Sequence, residues 1–264
     1  MFSFPTKSCL GVNVVDIDYE SFITKSIEWK KESKSLNIMS INLTALKRYN
    51  NEFQFFIDQF DITTADGKGL VIFSRLLGEK IYNHLSIPRI CDRYIRQFVN
   101  DKKNIFLLGA KKKINDKAVE NLINLFPTIN IQGHHGYFNL DDMDEIIDVI
   151  KNFTPDLILV GISSPMKEQV ILKLSKKYKR SINIACGGYI DILSGEVAKA
   201  PILFHITGME WLYRFYQEPK RMFGPMVLNA FFFLFYIMPK AILEKYIKRR
   251  APRILDIMNN YNNA

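Results

Sequence analysis

Four short runs in the second half of the chain set its fold class. They are Asn104–Ala110 (NIFLLGA), Thr128–Gly133 (TINIQG), Asp156–Ile162 (DLILVGI) and Ser181–Gly188 (SINIACGG). Each is too short for a core helix, and the most apolar of them read as strands covered on both faces. Helical patterns lie between them. Asn115–Phe126 is stopped by Pro127. Asp141–Lys151 carries Asp141, Asp142 and Asp144 in its first turn, where carboxylates suit the helix dipole, and a third helix opens at Pro165 and runs to about Lys179. Strands alternating with helices of this length predict a parallel sheet with right-handed crossovers.

The first half follows the same rhythm less cleanly. Val12–Ile17 and Leu36–Ile41 read as strands and Tyr19–Lys31 as the helix between them. Helical segments follow from Leu43 and around Phe53. The stretch DITTADGKG, Asp61–Gly69, reads as a turn opening a helix over Gly69–Leu77, and Arg93–Val99 is a further helix. The expected fold class is α/β, a Rossmann-like, mostly parallel sheet with helices on both faces. The body spans residues 1–201, and residues 202–264 form a helical appendage.

That appendage has its own signature. The block Met226–Met238 is thirteen residues and almost uncharged. As a helix it reaches about 20 Å at about 1.5 Å per residue, short of a hydrocarbon core about 30 Å thick. Phe231, Phe232, Phe233, Phe235 and Tyr236 point all ways round such a helix, which is too apolar for a solvated surface. Nine Lys and Arg lie between Arg214 and Arg253, opposed only by Glu218 and Glu244, so +7 of the chain's net +9 falls here. Apolar residues beside Lys248, Arg249 and Arg250 suit an interface carrying anionic lipid. A core helix is the alternative. Nucleic acid is not expected as a partner, because its binding patches interleave aromatic and basic residues rather than setting a solid apolar block beside the charge.

Three cysteines, Cys9, Cys91 and Cys186, with no C-x-x-C predict neither disulfides nor a zinc site and fit a reducing cytoplasm. The first ten residues lack an apolar run long enough for export. The expected location is the cytoplasm, peripheral on the inner face of the cell membrane, and a homo-oligomer is left open. No metal or cofactor is expected. Asp16/Asp18 ends a strand, Asp142/Asp144 charges a helix start, and His134-His135 lacks a third ligand at metal spacing.

Ligands of open α/β sheets bind at the carboxyl ends of strands. That singles out Ser40–Asn42, Ala65–Gly67, Gly109–Ala110, Gly161–Glu168 and Gly187–Asp191. Gly109 and the helix after it can offer backbone N–H groups to a diphosphate, or can simply be a tight turn. There is no G-x-G-x-x-G and no P-loop. Asp66, in a glycine-flanked turn between strand and helix, is the carboxylate best placed to be a base, with helix capping as the alternative.

Together these segments resemble the WecG/TagA/CpsF family of bacterial glycosyltransferases over roughly Leu10–Arg221. The matching stretches, in order, are Asp66-Gly67, NIFLLGA, DLILVGISSPMKEQVI, ACGGYIDILSGEVAKAP and MEWLYRFYQEPKR. The resemblance implies metal-independent, inverting transfer from a UDP-sugar to an undecaprenyl-diphosphate-linked acceptor in surface polysaccharide synthesis. N-acetylmannosamine or its uronic acid is the implied sugar, and the appendage is implied to dock on the membrane and close the site. Asp66 is then the base, and Arg214 and Arg221 neutralise the leaving group. Ser40, Asn42 and Arg89 would contact sugar or phosphates. The walls for nucleotide and diphosphate would be Gly109-Ala110, Gly136-Tyr137, Gly161, Pro165 and Gly187-Gly188 with Asp191, while Lys167 and Glu168 meet the donor. The chain departs from the family at Ser163, Lys167, Lys199, Gly224 and the compressed Arg89-Ile90-Cys91-Asp92, which leaves the donor open. A UDP-glucose, galactose or glucuronate transferase and a non-catalytic membrane-associated relative stay as alternatives.

Overall fold

The computed structural model describes residues 4–32, 35–201, 204, 210–217 and 219–262. Its strands are β1 (Thr6–Cys9), β2 (Val12–Val15), β3 (Leu36–Ile41), β4 (Ile62–Ala65), β5 (Asn104–Gly109), β6 (Asn130–His134), β7 (Leu157–Gly161) and β8 (Ile182–Ala185). They form one sheet in the order β1-β2-β4-β3-β8-β7-β5-β6. Only β1 and β2 pair antiparallel; every other pairing is parallel. This is the mixed α/β architecture that the alternating pattern predicts.

The helices of the body are α1 (Tyr19–Glu32), α2 (Leu43–Lys47), α3 (Asn51–Gln59), α4 (Lys68–Leu76), α5 (Ile87–Asn100), α6 (Lys112–Leu125), α7 (Met143–Phe153), α8 (Met166–Lys177) and α9 (Tyr189–Leu193). They cover both faces of the sheet because the central strands send alternate residues to opposite sides. Phe106, Leu108, Ile158 and Val160 pack with Phe56 of α3, Phe73 of α4, Ile147 of α7 and Val170 of α8. Ile105, Leu107, Leu157 and Leu159 pack with Phe22 of α1, Tyr94 of α5 and Leu122 of α6.

Several elements differ from the sequence reading, and three of the differences have a clear physical reason. β1 is absent from that reading because its Thr, Lys and Ser are exposed. β4 emerges from the stretch read as a turn. Its threonines Thr63 and Thr64 are buried between neighbours on both sides, so position in the sheet overrides their polarity. α5 starts at Ile87 rather than Arg93, with a proline in its first turn where the missing N–H costs nothing.

The largest difference lies at the C-terminus. The apolar helix does not stop at Met238. Pro219–Phe232 continues through a π-helical turn at Phe233–Ile237, Met238–Ile242 and a second π-helical turn at Leu243–Ile247. The Met238 amide donates to Phe233, so the ladder has already shifted by one residue where Pro239 brings no N–H. The stretch Val227–Ile247 is 21 residues and apolar enough to cross a membrane by length and composition. The thirteen-residue limit therefore underestimates it.

One side of this helix belongs to the body. Phe233, Ile237 and Ala241, at spacings of four, are buried in the same core cluster as α4, and Phe233 meets Phe73 edge-on at 4.8 Å. Phe233 and Ile237 each contribute about 1.5–3 kcal/mol on burial. After the helix the chain returns to β1. The Ile254 amide donates to the Leu10 carbonyl at 2.8 Å, and Ile254, Ile257 and Met258 of the last helix (Ile254–Asn262) are buried.

Candidate active site

The carboxyl ends of β3, β5, β6, β7 and β8 open into one cleft of about 1610 Å³. Its floor is built from glycines. Gly109 and Gly161 are register partners across β5 and β7. A Cβ on Gly109 would lie 2.5 Å from the Gly161 carbonyl, and one on Gly136 would lie 2.8 Å from Gly109 Cα. Gly109 also sits at φ 138 and Ala110 at φ 57, so the chain turns sharply out of β5. The Ala110 amide donates to Gly161 and the Gly136 amide to Ala110, which ties the three strand ends together.

Two helices start at this floor. α6 follows Lys111 and α8 follows Pro165, and neither has a side-chain cap. Ala110, Lys111, Met166 and Lys167 line the cleft, so the first turns of both helices border it. The positive ends of the two helix dipoles suit an anion, while in α8 the Lys167 and Glu168 amides already donate to the Ser163 and Pro165 carbonyls. Gly187, at φ 53, faces open space, and Gly188 leaves room for the Asp191 carboxylate, since a Cβ there would come within 3.3 Å of it.

Most donor-side residues expected from the sequence meet here. Ser40, Asn42, Ala110, Gly136, Tyr137 and Gly161 line one part, and Pro165, Lys167, Glu168, Gly187, Gly188 and Asp191 the other. Tyr137 is strongly exposed at the rim. Asn42 also caps α2, its Oδ1 accepting from the Ala45 amide at 2.9 Å. Glu168 is only 1% exposed. Its Oε1 accepts from the Ser164 hydroxyl at 2.8 Å and lies 3.5 Å from Lys167 Nζ, while its Oε2 has no hydrogen-bond partner among the described residues. The Lys167 ammonium also acts on Cys186, opposing the burial that pushes that thiol up to about 12.

Three expected residues do not line the cleft: Gly109, packed against the backbone of Gly161 and Gly136, and Asp66 and Arg89. Asp66 ends β4, the neighbour of β3, and its amide donates to Ile41 at 2.8 Å. Gly67, at φ 99, occupies the cap position of α4 and has no Cβ contact within 4 Å. The Asp66 carboxylate is close enough to Cys91, at the start of α5, to help burial raise that thiol. Arg89 is not in the cleft. Its guanidinium lies 4.9 Å from the Tyr19 ring, held there by cation–π attraction. Arg214 and Arg221 run in the helices Glu210–Gln217 and Pro219–Phe232, and their side chains lie outside the described residues, as do Gly208 and Met209 of the signature segment.

Three members of the acidic pairs have structural partners, and the fourth, Asp142, lines the cleft. Asp16 accepts from the amides of Tyr82 and Asn83, Asp18 caps α1 through Ser21, and Asp144 pairs with Lys177. Two cleft cations escape the sequence reading, Arg48 and Lys111. Lys111 follows the strand-end glycine by two residues, which is a usable signal; nothing local marks Arg48. Asp92, in the compressed Arg89–Asp92 stretch, accepts from the buried Tyr189 hydroxyl at 2.5 Å and pairs with Lys199, the residue standing in the family's arginine position.

Of the aromatic residues expected to face lipid, Phe231 and Phe235 are exposed and stack on each other. Phe232 is half-buried and packs on Tyr236 and Tyr261. Lys248, Arg249 and Arg250 are exposed just beyond the helix.

Known proteins share this sequence pattern. An N-acetylglucosaminyldiphosphoundecaprenol N-acetyl-beta-D-mannosaminyltransferase of Bacillus spizizenii is 27% identical over 220 residues, 82% of this chain and 85% of that protein. The protein of the same name from Staphylococcus aureus strain MW2 is 29% identical over 165 residues, 62% of this chain and 65% of the relative's length. The glycosyl transferase WecG/TagA/CpsF family matches residues 7–247, from the first strand to the end of the apolar helix. The chain belongs to that family.

Proposed function

We propose that this protein transfers a sugar from a UDP-sugar to an acceptor linked to undecaprenyl diphosphate, with inversion, in surface polysaccharide synthesis. The observation that carries this reading is the meeting of two helix N-termini without side-chain caps and a glycine floor at the ends of β5, β6 and β7, with Ser40 and Asn42 at the end of β3 standing between that floor and Asp66 at the end of β4. The donor diphosphate would lie against the first turns of α6 and α8, with Lys111 and Lys167 beside it. The exposed Tyr137 ring offers a face to the base, and Asp191 and Gly187-Gly188 line the same cleft. N-acetylmannosamine is the favoured sugar, in keeping with the names of the two relatives. Its uronic acid is the variant that the extra cation Lys167 would favour.

The reaction runs in one step. The acceptor hydroxyl oxygen attacks the anomeric carbon from the face opposite the departing group. Its proton passes to the Asp66 carboxylate as the new C–O bond forms. The bond to the UDP oxygen breaks with its electron pair, and the charge on UDP is met by the helix N-termini, by Lys111 and Lys167, and by Arg214 and Arg221 of the C-terminal helices. The acceptor's lipid keeps this chemistry at the membrane, and the apolar helix with Lys248, Arg249 and Arg250 would dock the enzyme there, on the cytoplasmic face. A panel of UDP-sugars incubated with a synthetic polyprenyl-diphosphate-linked N-acetylglucosamine tests the reading. Acceptor-dependent UDP release with one or a few donors supports it, and release with none overturns it.

A further inference from the structure

We propose that helix α4, with Tyr82 beyond its end, is a second lipid-contacting element continuous with the C-terminal apolar helix. The protein then meets an anionic bilayer through a two-helix face rather than through one helix. This inference rests on the membrane-docking part of the function proposed above. It adds an element of the body for which the sequence analysis names no lipid contact.

Contacts along α4 hold it against the C-terminal helix. Phe73 packs edge-on against Phe233 at 4.8 Å. The Tyr246 hydroxyl donates to the Leu76 carbonyl at 2.5 Å, and the Lys245 side chain passes beside Gly78. Burying Phe73 inward leaves other α4 side chains outward. Ile72 is 55% exposed, Leu76 62% and Tyr82 64%. On the C-terminal helix the exposed Phe231, Phe235, Ile242 and Tyr246 recur at spacings of four, seven and four, the period of one helical stripe, away from the buried Phe233, Ile237 and Ala241. Tyr246 joins the two exposed sets, because it belongs to the stripe and bonds to Leu76.

The charge around this face selects its occupant. Arg75 lies over the Tyr82 ring at 5.5 Å, and Lys80, Lys248, Arg249 and Arg250 are exposed nearby in the chain. The acids there are engaged. Glu79 turns inward to accept from the Leu10 amide, and Glu244 pairs with Lys248. An apolar face with a basic rim complements an anionic lipid surface. A second copy of the chain would bring the same basic rim against itself, which opposes self-association on this face. The arrangement also has a use. Gly67 opens α4 next to Asp66, and the nine residues of α4 span about 13 Å at about 1.5 Å per residue. Lipid contact at Ile72 and Leu76 would therefore hold the Asp66 turn within reach of a diphosphate at the bilayer surface.

Sedimentation of the full-length protein with phosphatidylcholine vesicles, with and without phosphatidylglycerol, tests this. The double variant Ile72→Glu/Leu76→Glu should lose about tenfold or more in affinity for the anionic vesicles, since charge replaces apolar contact. Phe231→Glu/Phe235→Glu serves as the control for the C-terminal helix. If the control loses binding while the α4 variant binds as wild type, α4 is outside the contact and this inference fails, with docking intact. If both bind as wild type, docking itself fails. If the α4 variant instead turns a dimer into a monomer by light scattering with vesicle binding unchanged, the face is a self-interface and the inference is overturned. Should the charged variant misfold by circular dichroism, Leu76→Cys carrying an environment-sensitive fluorophore gives the same answer. The three native thiols are buried, so labelling is selective. A blue shift on adding anionic vesicles supports the contact, and an unchanged spectrum with bound vesicles contradicts it.

Discussion

The Asp66 amide donates to the Ile41 carbonyl at 2.8 Å, which fixes this carboxylate residue just past β4, one strand away from Ser40 and Asn42 at the end of β3. The cleft and the Asp66 turn are thus adjacent but distinct. Asp66→Asn should cut turnover by about a hundredfold or more, the scale of a lost general base, while UDP-sugar affinity stays within a fewfold. Steady-state rates and calorimetric binding on the same preparation check this. A near-full rate would make Asp66 a turn residue only.

Lys167 stands 3.5 Å from the buried Glu168 carboxylate, whose Oε2 is unpartnered among the described residues, and both line the cleft. Lys167→Gln replaces the cation with the family's neutral amide. Donor preference in a UDP-sugar panel should move toward uncharged sugars, with the melting temperature shifted by less than about 4 °C, the scale of about 1 kcal/mol. An unchanged donor profile would put Lys167 outside the donor's reach.

Two glycines should respond to alanine for different reasons. Gly109 combines φ 138 with a Cβ position 2.5 Å from backbone, so Gly109→Ala should cost about 2–5 kcal/mol through strain and overpacking. Gly187 has φ 53 but open space, so Gly187→Ala should cost about 1 kcal/mol and act mainly on donor affinity. Urea unfolding of both variants, with UDP binding measured for Gly187→Ala, separates packing from conformation. Equal destabilisation would contradict the close-packed floor.

The thiols make a pH prediction. Burial pushes Cys186 up from 9.0 to about 12, with Lys167 opposing, and pushes Cys9 to about 12, with the Ser74 hydrogen bond opposing. The folded protein therefore keeps protons that the unfolded chain releases. Stability from these groups is fully present below pH 9.0 and is lost as pH rises toward about 12. Unfolding midpoints should fall between about pH 8 and pH 10.5, and native thiols should resist a disulfide reagent at about pH 8 until denaturant is added. Immediate reaction of all three in the native state would contradict their burial.

Much of the fold is legible in sequence because apolar strands covered on both faces, such as Leu157–Gly161, have few polar residues to confuse the period. Part of the cleft lining is legible for the same reason, since Gly161 and Gly187 mark strand ends directly. Arg89 is not, because whether a helix residue turns to a cleft or to an aromatic neighbour such as Tyr19 is decided by tertiary packing. Arg48 carries no local signal for its place in the cleft. The length of the C-terminal helix is hidden by Pro239, which reads as a stop until the π-helical turn before it shifts the ladder. The outward face of α4 is hidden too, since Ile72 and Leu76 look like core until Phe73 is seen to take the inward side.

The central claim is acceptor-dependent glycosyl transfer with inversion. Its most direct measurement is analysis of the product formed from UDP-N-acetylmannosamine and a synthetic polyprenyl-diphosphate-linked N-acetylglucosamine, by mass spectrometry and by proton NMR at the new anomeric centre, with and without a chelator. The account predicts an acceptor heavier by one N-acetylhexosamine residue, of inverted configuration, formed equally with the chelator present. No mass gain with any UDP-sugar, or retained configuration at the new centre, would contradict it.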